Sequence, residues 1–138
     1  MYGKIGRSAS EETILELLRS KCLPSLLLYA TEACPLLSRD KHSLEFTLTR
    51  LFMKIFRTAS PAIVTECQRS FCFLPVTSQI VIRTAKFLQV FLATDNSLCQ
   101  LFYCSAVNRS NDILREYNVR TAGQLASRVY DMFTAVED

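Results

Sequence analysis

The stretch from Ser38 to Arg57 constrains the fold more than any other part of the chain. Its apolar side chains recur every three or four residues, which is the period of one face of an α-helix. This apolar stripe consists of Leu44, Leu48, Leu51, Phe52 and Ile55. Most of the charged side chains fall between these positions. The pattern therefore predicts a long amphipathic helix, capped by Ser38 or Asp40, with a basic outer face.

The composition favours helices along the rest of the chain as well. Glycine occurs three times and proline four times in 138 residues, which argues against a turn-rich all-β fold. Shorter stretches with helical periodicity lie on both sides of the long helix. We therefore expect an all-α fold, an irregular bundle of about six to eight short helices.

Local signals predict where the first helices begin and end. Ser8 and Glu11 fit a capping box for a helix that reaches about Cys22. Pro24 is expected to stop this helix and to open a short buried piece, because proline disrupts a helix interior but suits its first turn. A buried strand over the apolar residues that follow Pro24 is the alternative.

Similar signals occur near the C-terminus. Asn111 or Asp112 is expected to cap a short helix that ends at Asn118 in the left-handed conformation. Thr121 and Gln124 fit a second capping box, which predicts a last helix.

The net charge of +3 is unevenly distributed. Residues 1–93 carry twelve Lys and Arg against seven Asp and Glu, whereas residues 94–138 carry four against six, giving +5 and −2. This mild excess is compatible with weak binding of anions or nucleic acid but not with a strongly basic binding domain. On charge alone, a solvated outer face is the commoner role for such residues.

Six cysteines occur, and no apolar signal segment follows Met1. We therefore expect free thiols in a reducing, intracellular compartment, the nucleus or the cytoplasm. No apolar run approaches the roughly 20 residues of a membrane span. Cys67 with Cys72, and Cys99 with Cys104, suggest zinc by their spacing. Side chains five residues apart diverge by about 140° on a helix, so we expect small buried residues rather than metal ligands.

No catalytic arrangement is evident in the sequence. His42 is the single histidine, the aspartates are not clustered as a two-metal site requires, and no Gly-rich phosphate loop is present. We expect no catalytic residue, no metal, no cofactor and no small-molecule substrate. The candidate nucleic-acid-binding residues are Lys41, Arg50, Lys54 and Arg57, with Lys86 as a weaker candidate.

Several idiosyncratic motifs occur in the first hundred residues. They are Lys21-Cys22-Leu23-Pro24, Glu32-Ala33-Cys34-Pro35-Leu36, Ser43-Leu44-Glu45-Phe46, Phe52-Met53-Lys54 and Phe56-Arg57-Thr58. This region resembles the segment just downstream of the polymerase core in non-LTR (LINE-type) retrotransposon reverse transcriptases. The resemblance covers about residues 2–102, and residues 103–138 are expected to form a helical tail of unrecognised origin.

The resemblance implies a helical thumb and connection segment that closes on template and primer. The catalytic aspartate pair and the endonuclease of that family lie upstream of this region. It therefore implies a fragment of an RNA-directed DNA polymerase without the catalytic core, not an enzyme itself, and Met1 would begin a truncated reading frame. The expected partners are RNA or DNA and the palm domain of a parent polymerase. The alternative is a structural remnant that self-associates through the apolar face a palm would cover.

Overall fold

The computed structural model describes residues 9–135, apart from the side chains of Leu26 and Leu27. Over that range the chain is all-α, with seven α-helices, one π-helical segment and no strand, which confirms the predicted fold class. The elements are α1 Glu11–Leu17, the π segment Leu18–Leu27, α2 Ser38–Ile55, α3 Pro61–Ser70, α4 Val76–Ala93, α5 Ser97–Leu101, α6 Tyr103–Glu116 and α7 Ala122–Thr134.

Helix α4 connects the two parts of the bundle, because it packs against α2, α6 and α7. Buried side chains form two clusters. The first core consists of Leu15, Leu18, Leu23, Leu28, Leu48, Phe52, Ile55, Val64, Phe73, Val76 and Ile80. The second core consists of Leu74, Ala85, Leu125 and Val129. The predicted tail, which contains α6 and α7, therefore packs against the helix that also supplies the first core.

Helix α2 buries the apolar stripe that the sequence predicted. Leu48, Phe52 and Ile55 are buried, and the other two members of the stripe pack against them. The Phe52 ring meets the Phe73 ring edge to face, with centroids 4.9 Å apart. This geometry is favourable for aromatic pairs, and it joins α2 to the turn that precedes α4.

The prediction that Pro24 ends the first helix is wrong. Helix α1 continues without a break into the π segment, which contains Pro24 and extends to Leu27. In a π-helix each amide bonds to the carbonyl five residues earlier, as Leu28 does with the Leu23 oxygen at 2.9 Å. In an α-helix the Pro24 ring would clash with the carbonyl group four residues earlier. The wider π-helical turn displaces that carbonyl, so the chain remains helical at Pro24. The alternative of a strand after Pro24 is wrong as well.

The N-terminal cap of α1 is a different residue from the one predicted. Ser8 lies outside the described residues, and Ser10 is the cap: its Oγ accepts the Thr13 amide hydrogen at 3.4 Å. The prediction that Ser38 or Asp40 caps α2 is wrong, because the cap is Leu37 and both residues lie in the first helical turn. From that turn the Asp40 carboxylate accepts the Leu37 amide hydrogen at 3.3 Å.

At the C-terminal end, one prediction fails and two are confirmed. Asn111 and Asp112 lie inside α6, which begins at Tyr103, so neither of them caps a helix. Asn118 ends α6 with a φ of 52°, in the left-handed region. Thr121 caps α7, because its Oγ1 accepts the Gln124 amide at 3.3 Å.

No helix between residues 9 and 135 has the combination of length and apolar character that crossing a bilayer requires.

Candidate nucleic-acid interface

One exposed side of α2 combines cations with an aromatic ring. The Arg50 guanidinium lies over the ring of Phe46, with Cζ 5.9 Å from the ring centroid. Phe46 is 65% exposed, so much of this ring is open to solvent. Lys54 lies one turn beyond Arg50, and Arg39 lies near the helix start. At 100° per residue these four side chains fall within about 80° of one another. They define the α2 face.

Arg57 extends the α2 face past the end of the helix. It follows the last helical turn with a φ of 52°, and the next amide, that of Thr58, donates to the Met53 oxygen at 3.0 Å. This is the hydrogen bond of a Schellman helix end. The motif fixes the backbone at Arg57, and its side chain is exposed. Arg57 is therefore held close to the C-terminal turn that carries Lys54.

The structure does not bring all five predicted residues together. Lys41 precedes Arg50 by nine residues, or two and a half turns, which places it about 180° away around α2. It is half-buried, on the side of the helix that faces the core. Lys86 is exposed on α4 and lines a cleft with Arg19 and Arg83. Only Arg50, Lys54 and Arg57 share one surface.

Two members of the α2 face, Arg39 and Phe46, are not among the predicted binding residues. Phe46 precedes the buried Phe52 by six residues, which is about 120° around the helix, so its ring lies away from the core. Arg39 was not considered, although Arg39, Phe46, Arg50 and Lys54 follow one another at intervals of seven, four and four residues. Those intervals bring side chains to one side of a helix, so the signal was present in the sequence.

Glu45 belongs to α2 but does not lie on the α2 face. It is half-buried, and its Oε2 accepts the Thr77 amide hydrogen at 3.2 Å in the first turn of α4. The α2 face therefore lacks this carboxylate, which would have reduced its positive potential.

The sites considered for metal and thiol chemistry do not form in the described part of the chain. His42 is exposed on the second turn of α2. No group of three His, Cys, Asp or Glu side chains between residues 9 and 135 could hold a metal ion. The six cysteines form no disulfide, and the expectation that they are buried is wrong: Cys34, Cys72 and Cys104 are exposed and the others are half-buried. Cys72 occupies a left-handed helix end, with a φ of 48°.

No protein-family profile, curated protein or solved structure matches this chain.

Proposed function

We propose that the chain binds nucleic acid weakly through the α2 face, as a non-catalytic fragment of a non-LTR retrotransposon reverse transcriptase. The observation that carries this proposal is the exposed Phe46 ring held beside the Arg50 guanidinium, with Lys54 and Arg57 following on the same surface. The resemblance of residues 2–102 to a thumb and connection segment supports the same function, since such a segment closes on template and primer.

The residue types of the α2 face suit a nucleic-acid strand without sequence preference. Cations contact the backbone phosphates, and an exposed ring stacks on a base of any identity. Each phosphate contact contributes roughly −0.9 to the slope of log affinity against log salt, so Arg50, Lys54 and Arg57 together predict a slope of roughly −2.7. Affinity should therefore fall steeply with salt but vary little with sequence.

Fluorescence anisotropy with a labelled RNA–DNA hybrid at two or more salt concentrations tests the proposal. We expect the double charge reversal R50E/K54E to weaken binding at low salt by about tenfold or more. The control R115E/R128E makes the same change in net charge at exposed positions on α6 and α7, away from the α2 face. Equal losses in the two variants, or no loss in R50E/K54E, would contradict a site on α2.

The proposal includes the absence of polymerase activity in these 138 residues, because their aspartates are not clustered as a two-metal site requires. A template-and-primer extension assay with purified protein and Mg²⁺ checks this. We expect no nucleotide incorporation above that of a mock-purified control. Reproducible incorporation that tracks with the protein through purification would show that the chain is an enzyme.

A second candidate function, self-association, is favoured by the apolar side chains exposed around α5. Val90, Leu98, Leu101, Phe102 and Tyr103 are all at least half exposed, and Leu101 is 76% exposed. Such a group of side chains in one short region is typical of an interaction surface. Sedimentation velocity over a range of protein concentrations should show a reversible dimer that L101D abolishes. A monomer at all concentrations would exclude this function.

A further inference from the structure

Three cations line a cleft that is separate from the α2 face. The cleft has a volume of about 260 Å³ and is bounded by the π segment, the turn before α4, α4 itself and α7. Its charged side chains are Arg19, Arg83 and Lys86, and no carboxylate is among the described residues that line it. Cations that converge without an equal number of acids produce a positive potential, which low-dielectric walls strengthen.

Arg19 is fixed in position by the turn between α3 and α4. Its Nη2 donates to the carbonyl oxygens of Phe71 at 3.0 Å and Cys72 at 3.2 Å, and its guanidinium lies 5.3 Å from the Phe73 ring centroid. A guanidinium has five N–H donors, of which these two bonds use two. The three donors on Nε and Nη1 are therefore available on a side chain that is already ordered, so binding an anion costs little additional entropy.

Arg83 is fixed by an ion pair. Its Nε and Nη2 donate to the two carboxylate oxygens of Glu32 at 3.3 and 3.2 Å. The hydrogens on Nη1 are not used by this fork. Lys86 lies three residues further along α4, so it stands on the same side of that helix, and it is exposed. Three cations minus the charge of Glu32 leave a net charge of +2.

We propose that this cleft binds a phosphate monoester. Two ordered guanidinium groups and one flexible ammonium group match the several acceptor oxygens and the double negative charge of a terminal phosphate. The same cleft has apolar walls, among them Phe73 and Ile82, and the Tyr130 ring from α7. These walls suit the organic group to which the phosphate is attached. The site shares no residue with the α2 face, so it stands whether or not α2 binds nucleic acid.

NMR titration of the ¹⁵N-labelled chain tests the site at constant ionic strength. The probes are inorganic phosphate, adenosine 5′-monophosphate, adenosine and a short oligothymidine without a terminal phosphate. The pH is well above the second pKa of a phosphate monoester, which is about 6, so that inorganic phosphate is doubly charged as well. We expect saturable amide shifts confined to residues 19–28, the turn 71–74, residues 79–86 and residues 126–130 with the first two probes, and none with adenosine. Tighter binding of the nucleotide than of phosphate would identify the ligand as an organic monoester, and equal binding would identify free phosphate.

Two variants with the same change in charge make the test specific. K86Q should weaken phosphate binding by about threefold or more, whereas K21Q, an exposed lysine of the π segment outside the cleft, should leave it unchanged. Shifts that do not saturate, equal affinities in K86Q and wild type, or a response to the oligothymidine alone would overturn the proposal. None of these outcomes depends on the oligonucleotide affinity of R50E/K54E. The phosphate site can therefore be disproved while the nucleic-acid interface stands, and the reverse.

Discussion

Arg57 occupies a backbone conformation that is unfavourable for an L-residue. Its φ of 52° is in the left-handed region, which costs a residue with a Cβ about 1 kcal/mol or more. Glycine has no such cost but loses more entropy on folding. We expect R57G to raise the free energy of unfolding by about 0.5 kcal/mol, the balance of the two effects, and to weaken oligonucleotide binding several-fold. Urea unfolding and anisotropy measure the two changes.

The matched variant R57A separates the backbone effect from the charge effect. It removes the same cation but keeps a Cβ at a positive φ, so affinity should fall as in R57G without any gain in stability. Unchanged affinity in both variants would show that Arg57 makes no contact with phosphate. A loss of stability in R57G would show that the left-handed strain is smaller than the entropy cost of glycine.

Glu32 gives the fold a dependence on acid pH. Hydrogen bonds from Arg83 lower the pKa of the Glu32 carboxyl below its ordinary value of 4.5. A lowered pKa in the folded state means that the ion pair stabilises the protein above the unfolded-state pKa. This stabilisation is lost as the pH falls through the folded-state pKa. We expect wild type to lose more stability than E32Q on acidification below about pH 4.5, by under about 1 kcal/mol because both side chains are partly exposed.

Chemical denaturation at a series of pH values measures this difference, and a double-mutant cycle identifies the partner. R83Q and E32Q/R83Q should show the same reduced pH dependence as E32Q, since each removes the same interaction. If the stability of R83Q depended on pH as strongly as that of wild type, the stabilisation would come from a partner of Glu32 other than Arg83.

At the scale of the helices, α2 and α4 are joined by a contact that the sequence did not indicate. The Glu45 carboxylate on α2 accepts the Thr77 amide hydrogen in the first turn of α4, at 3.2 Å. It satisfies an amide that has no partner within the helix, and its charge favours the positive helix end. We expect E45A to lower the free energy of unfolding by about 1 kcal/mol and E45Q by less, because the amide oxygen can still accept. Urea denaturation measures both variants. Equal losses of unfolding free energy in E45A and E45Q would show that the charge of Glu45, and not its hydrogen bond, stabilises the start of α4.

The helix boundaries show how far local chemistry determines this fold. Asn118 and Thr121 end and begin helices as predicted, because the hydrogen bonds at these two helix ends span at most five residues of the chain. Pro24 was mispredicted because the chain adopts a wider helical turn, for which the sequence carries no simple signal. Asn111 is a good helix cap in isolation, but α6 is already formed before it and packs against α4, so tertiary packing overrides the local preference.

The same distinction applies to the sites. Arg50 and Lys54 are four residues apart on one helix, so their proximity could be inferred from helical period alone. The cleft could not be predicted in this way. Arg19 reaches the carbonyl of Cys72 across 53 residues, and Arg83 reaches Glu32 across 51. No local pattern indicates that these side chains meet, because their proximity depends on the packing of the whole bundle.

At the scale of the whole molecule, the open point is whether the two cores unfold together. The sequence predicts a boundary between residues 102 and 103, and this stays a prediction. The second core combines Leu74 and Ala85 from one side of that boundary with Leu125 and Val129 from the other. Val76 and Ile80 of α4 belong to the first core. Because one continuous helix contributes to both clusters, we expect disruption of the second core to be transmitted to the first.

The variant L125A tests this coupling. Leu125 is fully buried on α7, so removing its side chain should leave a cavity and cost about 2–5 kcal/mol. Hydrogen exchange should then show faster opening of the amides of α2 as well as those of α7, by the same free energy, because a single cooperative unit opens as a whole. I63A, at a position on α3 that is 50% exposed, is the control and should change neither region. If L125A accelerates exchange in α7 while α2 keeps its wild-type protection, the chain contains two independently stable units, and the α2 face could then be studied without the tail.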